Sequence, residues 1–242
     1  MTDKVDMFMN GDLGLWALRE AGAGHVRNVF TFDADVEALA TEMGVRVFTC
    51  DAHAADFVPA RAGISVHYPR IFRKTFISRY ERLYNIHPGC LPWGRGYYPV
   101  FWALWEDTPA GATLHEVAGE LDAGPVVAQV EVAHYAHDTG WTLFQRVREA
   151  EKGLFRAWFP RIASGEPIQA SAQPEGGTYH SKKDFYSLKQ GLRLDDISSA
   201  GLVKLVRCLS FPGYTGLEVE LGGKRFELRM EPSGRANGGE DR

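Results

Sequence analysis

The 242-residue sequence predicts an α/β fold, a mostly parallel sheet flanked by helices, followed by a short C-terminal extension of one helix and a β-hairpin. Three observations predict it. Apolar runs of strand length alternate with stretches of helical length over the first half of the chain, which is the pattern of βαβ units. The composition, 45% hydrophobic and 24% charged, is that of a globular protein, and the length suits one large domain, or one domain with a small appendage. After Gly165 the character changes, and the last two alternating segments flank Gly222-Gly223, a hairpin signal.

In chain order, Val5–Met9 reads as a strand, Asn10–Leu13 as a turn and Leu15–Glu20 as a helix. His25–Phe32 is a second strand, and Val36–Met43 a helix with Asp33 or Asp35 as its N-cap. Strands follow at Val45–Phe48, Ile64–His67 and Leu83–His87, then at Gly111–His115 and Val126–Val132 around a loop, Glu116–Gly124. Thr139–Phe159 carries Phe144, Val147, Leu154 and Trp158 at helical spacing, an apolar stripe that reads as core, and Pro160 is expected to end the helix. Glu166–Gly177, with two prolines and a Gly-Gly, reads as an exposed connection. Gly201–Leu209 is a helix with Leu202, Leu205, Val206 and Leu209 on one face; Leu217–Leu221 and Lys224–Met230 form the hairpin. The expected division is a core domain over 1–165, an extension over 166–231 and a polar, Gly-rich, disordered tail over 232–242.

A net charge of −4 and a pI near 6.1 argue against a general nucleic-acid or membrane-surface binder. Cys50, Cys90 and Cys208 are scattered, with no C-x-x-C pair; they predict reduced thiols in the cytoplasm and no cysteine cluster for zinc. No H-x-x-x-H spacing offers another metal site, and no signal peptide or long apolar run is visible.

The most informative stretch is Leu83-Tyr84-Asn85-Ile86-His87-Pro88-Gly89-Cys90-Leu91-Pro92. In a strand, Asn85 and His87 point to one face while Tyr84 and Ile86 point to the other. Pro88-Gly89 stops the strand, so the polar pair stands at its carboxyl end, where open α/β sheets bind ligands. Two residues alone would fit a pair of satisfied strand-end polar groups equally well.

The flanking residues decide between the two. Asn-x-His-Pro, Leu91-Pro92 and Arg95-Gly96, continued by Gly111-Ala112-Thr113-Leu114-His115 and Leu121-Asp122-Ala123-Gly124-Pro125, closely resemble the folate-dependent formyltransferases, with their Rossmann-like core. The resemblance runs from about Ile64 to Trp158; before it, only the strand–helix pattern matches. It implies transfer of a formyl group to an amine, with N10-formyltetrahydrofolate as donor and no metal. Attack on a formyl carbon builds charge on oxygen, which needs a donor such as the Asn85 amide. His87 can donate to that oxygen when protonated or take the amine proton when neutral, and Asp122 can hold the His87 tautomer and help manage the proton. His115 reads as a structural histidine beside the site. The resemblance also implies that the pterin lies on Arg70, Ile71 and Phe72, opposite Val117 and the rest of the Val117–Asp122 loop. Ile71 and Phe72 are equally well explained as core.

Three members of the family compete as the nearest relative. The glycinamide ribonucleotide enzymes use a small-residue phosphate loop after the first strand, and Asp12 and Leu13 suit that badly. The methionyl-tRNA enzymes carry a larger C-terminal domain than this chain has room for. The sugar N-formyltransferases resemble it in length, in the terminal hairpin and in the segment Gly177–Asp184. That implies a nucleotide-linked amino sugar as acceptor, usually a dTDP-4-amino-4,6-dideoxyhexose. Tyr97 and Tyr98 would wall the sugar or equally cap the following helix by packing. Tyr179 or Tyr186 would stack on the base, and Lys182 and Lys183 would meet the pyrophosphate, though on charge alone they fit a solvated pair in a turn as well. The alternatives are a formyl hydrolase, a transferase for another small amine, and a folate-binding protein without turnover.

The apolar residues of the hairpin, Leu217, Val219, Leu221, Phe226, Leu228 and Met230, cannot stand exposed. They must cover the Gly201–Leu209 helix or meet a second copy across a two-fold axis. The resemblance favours the second, and hence a homodimer.

Overall fold

The computed structural model describes residues 4–191 and 197–231; the segment 232–242, expected to be disordered, lies outside the described residues. A seven-stranded sheet has the order β3-β2-β1-β4-β5-β7-β8. Its strands are β1 (Val5–Met9), β2 (Val26–Phe30), β3 (Arg46–Phe48), β4 (Ala62–Val66), β5 (Arg82–His87), β7 (Ala110–Glu116) and β8 (Val126–Val132). The first five pair in parallel, and β7 and β8 add to them antiparallel. The chain leaves β1 toward β2 and β3, then returns to lay β4 and β5 on its other side. Such a reversal opens a crevice beyond the carboxyl ends of the strands.

Strand alternation divides the chemistry between the two faces. Met7, Ile64, Tyr84, Ile86, Ala112 and Leu114 are buried under α5 (Gly140–Ser164) and α1 (Gly11–Ala21). The opposite face carries a ring cluster built on Phe8, Phe30, Phe57, Phe72, Phe76 and Tyr80. Phe8 stacks on Phe30 at 4.7 Å and meets Phe72 edge-on at 4.9 Å. Asp6 is also buried on β1, where it accepts hydrogen bonds from Asn28, the Ala60 amide and the Tyr80 hydroxyl. A buried carboxylate needs such a set of donors.

Two local expectations are corrected. α1 begins at Gly11 rather than Leu15, because Asp33 of the β2–α2 junction accepts from the Gly11 amide at 3.2 Å and satisfies the first turn. The same Asp33 caps α2 (Ala34–Glu42). Pro160 does not end α5, which runs on to Ser164 and stops at Gly165. The proline stands on the exposed side and forfeits one backbone hydrogen bond, while Phe159, Ile162 and Ala163 beside it are buried. The stretch after Gly165 is largely exposed, as expected, and is tied to β8 where Ser171 exchanges two backbone hydrogen bonds with Val126.

A second core joins α4 (Pro99–Glu106), the first turns of α5, α7 (Ser199–Leu209) and the hairpin of β10 (Leu217–Leu221) and β11 (Lys224–Leu228). Leu217 and Val219 are buried there with Leu205 and Leu209, so the hairpin covers α7 within its own chain. Phe226, opposite Val219, stays 47% exposed. Between the cores, β6 (Arg95–Gly96) pairs with β9 (Tyr179–His180), which leads into α6 (Lys182–Gly191). Among the described residues no helix is long and apolar enough to cross a membrane.

Candidate active site

Because β5 and β7 pair antiparallel, Asn85 stands opposite His115 and His87 opposite Thr113. Residues directly opposite share a face. These four side chains therefore gather on the side away from α5. The loop after β7 folds back over them and brings in Asp122, which adopts φ 52°, a left-handed conformation that a non-glycine residue holds only under constraint. His87, His115 and Asp122 are all buried, and Asn85 is half-buried.

The hydrogen bonds assign the ring nitrogens. His87 Nε2 lies 2.8 Å from the Gly94 carbonyl oxygen, which can only accept, so Nε2 carries a hydrogen. His87 Nδ1 then faces Asp122 Oδ2 at 3.6 Å. His115 Nδ1 likewise donates to the Glu116 carbonyl at 2.8 Å. In the neutral ring this leaves Nε2 to accept from Asn85 Nδ2 at 3.2 Å, with Asp122 Oδ1 3.6 Å away. The remaining hydrogen of the Asn85 amide and its oxygen are uncommitted within this cluster. Asp122 Oδ2 accepts from the Gly96 amide at 3.0 Å. Burial pushes the Asp122 carboxyl up, but the charge of His87, the His115 contacts and the Gly96 N–H outweigh it and hold it at about 2.

A cleft of about 170 Å³ opens beside this cluster, lined by 65, 67–72, 85–88, 96–97, 115 and 117–122. His67 on its wall has φ 57° and binds the fully buried Glu151 of α5 through Nε2 at 2.8 Å. The cleft thus brings together Asn85, His87, Asp122, Arg70, Ile71, Phe72, Val117 and Tyr97. Ile71 is 56% exposed at the rim, whereas Phe72 is 8% exposed and stacks between Tyr68 and Phe76, so it supports the wall from within the core. Lys182, exposed at the start of α6, has its ammonium 4.8 Å from the Tyr97 ring centre.

The other expected acceptor residues stand outside the cleft. Tyr98, at φ 60°, packs on Phe185 at 4.2 Å and beside Tyr186; Tyr179 is exposed on β9; Lys183 is exposed in the first turn of α6. Sequence reasoning set His115 aside as structural, yet it touches both Asn85 and Asp122. Its position opposite Asn85 depends on the antiparallel register, which no local motif encodes. Gly94, which sets the His87 tautomer in place of Asp122, gave no signal, nor did Gln173; Thr178 stood in the segment Gly177–Asp184 that carries the resemblance, but nothing there pointed to its contact with this site.

Residues 47–158 match the Formyl transferase family. A dTDP-4-amino-4,6-dideoxyglucose formyltransferase from Mycobacterium tuberculosis is 33% identical over 169 residues, 69% of this chain and 71% of that protein. Among solved structures, a 4-N formyltransferase from Francisella tularensis superposes with a TM-score of 0.82 at 21% identity, covering 95% of this chain and 97% of the other. The formyltransferase PseJ from Anoxybacillus kamchatkensis, solved with UDP-4,6-dideoxy-4-formamido-L-AltNAc and tetrahydrofolate, has a TM-score of 0.59 at 27% identity, covering 84% of this chain and 97% of the other.

Proposed function

The chain belongs to the formyltransferase family, among the sugar N-formyltransferases, and from that premise we propose that it moves a formyl group from N10-formyltetrahydrofolate to the amine of a nucleotide-linked amino sugar. The acceptor is a dTDP-4-amino-4,6-dideoxyhexose, a reading supported by the name of the mycobacterial relative. The observation that carries the mechanism is the commitment of His87 Nε2 to Gly94, which turns Nδ1 toward Asp122 beside the Asn85 amide.

The bound donor would supply an activated formyl carbonyl. The cleft fits a flat heterocycle: Ile71 and Val117 offer apolar surface, and the 117–122 loop offers backbone groups. Asn85 donates its free amide hydrogen to the carbonyl oxygen as charge gathers there. His87 Nδ1 takes the proton that the amine loses and returns it to the departing nitrogen of the carrier, so the new C–N bond and the broken one balance. The Asp122 carboxylate favours the imidazolium formed between those steps. On the acceptor side, Tyr97 borders the cleft directly and Lys182 stands over its ring, with Tyr98, Tyr179 and Lys183 further out along the path of the nucleotide.

We also assign 1–165 as the catalytic domain and 166–231 as the extension, place the protein in the cytoplasm, and infer a homodimer through the hairpin, supported by exposed Phe226 and Tyr214. The reaction is tested by incubating the protein with 10-formyltetrahydrofolate, with and without a dTDP-4-amino sugar, and following release of tetrahydrofolate. Release only with the sugar is expected. Release without it would make the protein a hydrolase, and release in neither case a folate-binding protein.

A further inference from the structure

We infer that the strap 171–180, which lies outside the family-matched region, is a working part of the catalytic centre, with Thr178 and Gln173 as positioning residues for His87 and Asp122. The inference rests on the formyl-transfer reading for its kinetic consequences and on geometry for everything else.

Thr178 grips Gly94 from both sides. Its Oγ1 accepts from the Gly94 amide at 2.9 Å, and its carbonyl accepts from the Arg95 amide at 3.0 Å. The Arg95 amide and the Gly94 carbonyl belong to one rigid peptide plane. That carbonyl is the partner of His87 Nε2. Thr178 therefore orients the group that decides which His87 nitrogen is free to work.

Gln173 does the same for Asp122. Its amide nitrogen donates to the carbonyls of Asp122 and Gly124, each at 2.8 Å, and so bridges the left-handed turn that holds the carboxylate in place. Its oxygen accepts from Arg95 Nε and a terminal guanidinium nitrogen at 3.0 and 2.7 Å. Both hydrogens and both lone pairs of the amide are thus used within the site. Arg95 joins the two halves, since it follows Gly94 and precedes Gly96, whose amide binds Asp122.

The strap leaves little space for slippage. A Cβ at Gly177 would fall 2.1 Å from the Pro92 carbonyl oxygen, and one at Gly96 would fall 2.2 Å from the His180 carbonyl oxygen. The two backbones can approach this closely only where both positions lack a side chain.

The test uses the full chain and four substitutions. Thr178→Val removes the hydroxyl acceptor at constant shape, and Thr178→Ser keeps it. Gln173→Met removes the donors at similar volume, and Gln173→Glu keeps the Arg95 contact but sets an oxygen against two carbonyls. Thr178→Val, Gln173→Met and Gln173→Glu are each expected to lower kcat about tenfold or more, with KM for both substrates within about twofold. Thr178→Ser should stay near the parent. A second readout needs no turnover: the imidazole 15N shifts of His87, assigned by their loss in His87→Gln, should show hydrogen on Nε2 in the parent and in Thr178→Ser, and a tautomer mixture in Thr178→Val. Parent-like kcat in Thr178→Val and both Gln173 variants would overturn the proposal, as would a serine variant as impaired as the valine one, or an unchanged His87 tautomer in Thr178→Val. If the parent transfers no formyl group to any acceptor, the functional reading fails while the tautomer experiment still decides the role of Thr178.

Discussion

His87 Nδ1 and Asp122 Oδ2 face each other across 3.6 Å, slightly beyond hydrogen-bond reach, while the other nitrogen of the same ring is held by Gly94. Two acceptors would repel at that distance if the ring stayed neutral. The gap therefore suits a proton that arrives during reaction: once Nδ1 is protonated, the carboxylate attracts it. A ring whose tautomer is preset on its far side can serve as a base without first rearranging.

The first prediction follows from this arrangement. His87→Asn is expected to lower kcat on the order of a hundredfold or more while leaving sugar binding largely intact. Steady-state kinetics together with calorimetric titration of the nucleotide sugar would check it. A parent-like kcat would remove His87 from the proton path.

Asp122 carries a pH signature. Its folded pKa, about 2, lies below the ordinary value of 3.8. A depressed carboxyl stabilises the fold above the unfolded pKa, and that stabilisation is lost as pH falls through the folded one. Asp122→Asn should thus cost about 2 kcal/mol at pH 7, a difference that shrinks as pH is lowered from about 4 toward 2. Urea unfolding of the two proteins at pH 7, 4 and 3 would measure it. A difference independent of pH would assign the loss to packing alone.

Ile71 and Phe72 are neighbours with different duties. Ile71→Glu places a charge on the exposed rim and is expected to raise the KM of the formyl donor about tenfold or more, with little change in Tm. Phe72→Glu buries a charge in the cluster of Phe8, Tyr68 and Phe76 and should cost about 3 kcal/mol or more of stability, affecting both substrates alike. Donor and acceptor KM values, set beside melting curves, separate the two cases.

Phe226 tests the dimer. Because Val219 is buried within its own chain, a charge there would disturb the fold, whereas its cross-strand partner Phe226 is 47% exposed and can carry a lysine. Light scattering at micromolar concentration is expected to give a dimer for the parent and an active monomer for Phe226→Lys. A monomeric parent would leave the hairpin as an intrachain cover of α7.

The strand–helix alternation, the side of β5 that carries Asn85 and His87, the loop that carries Asp122 and the terminal hairpin were all legible in the sequence. Each is written in local periodicity or in a short motif: a period of two puts Asn85 and His87 on one face whatever lies beside them. The tertiary structure alone decided how those pieces meet. The antiparallel register of β5 and β7 set His115 against Asn85, and the course of the chain after Gly165 brought Gln173 and Thr178 back to the site across spans of 51 and 84 residues. It also overruled Pro160, where burial of Phe159 and Ile162 outweighed the loss of one backbone hydrogen bond. Local pattern reports which side chains point together, but hydrogen bonds between distant backbones depend on packing the whole chain at once.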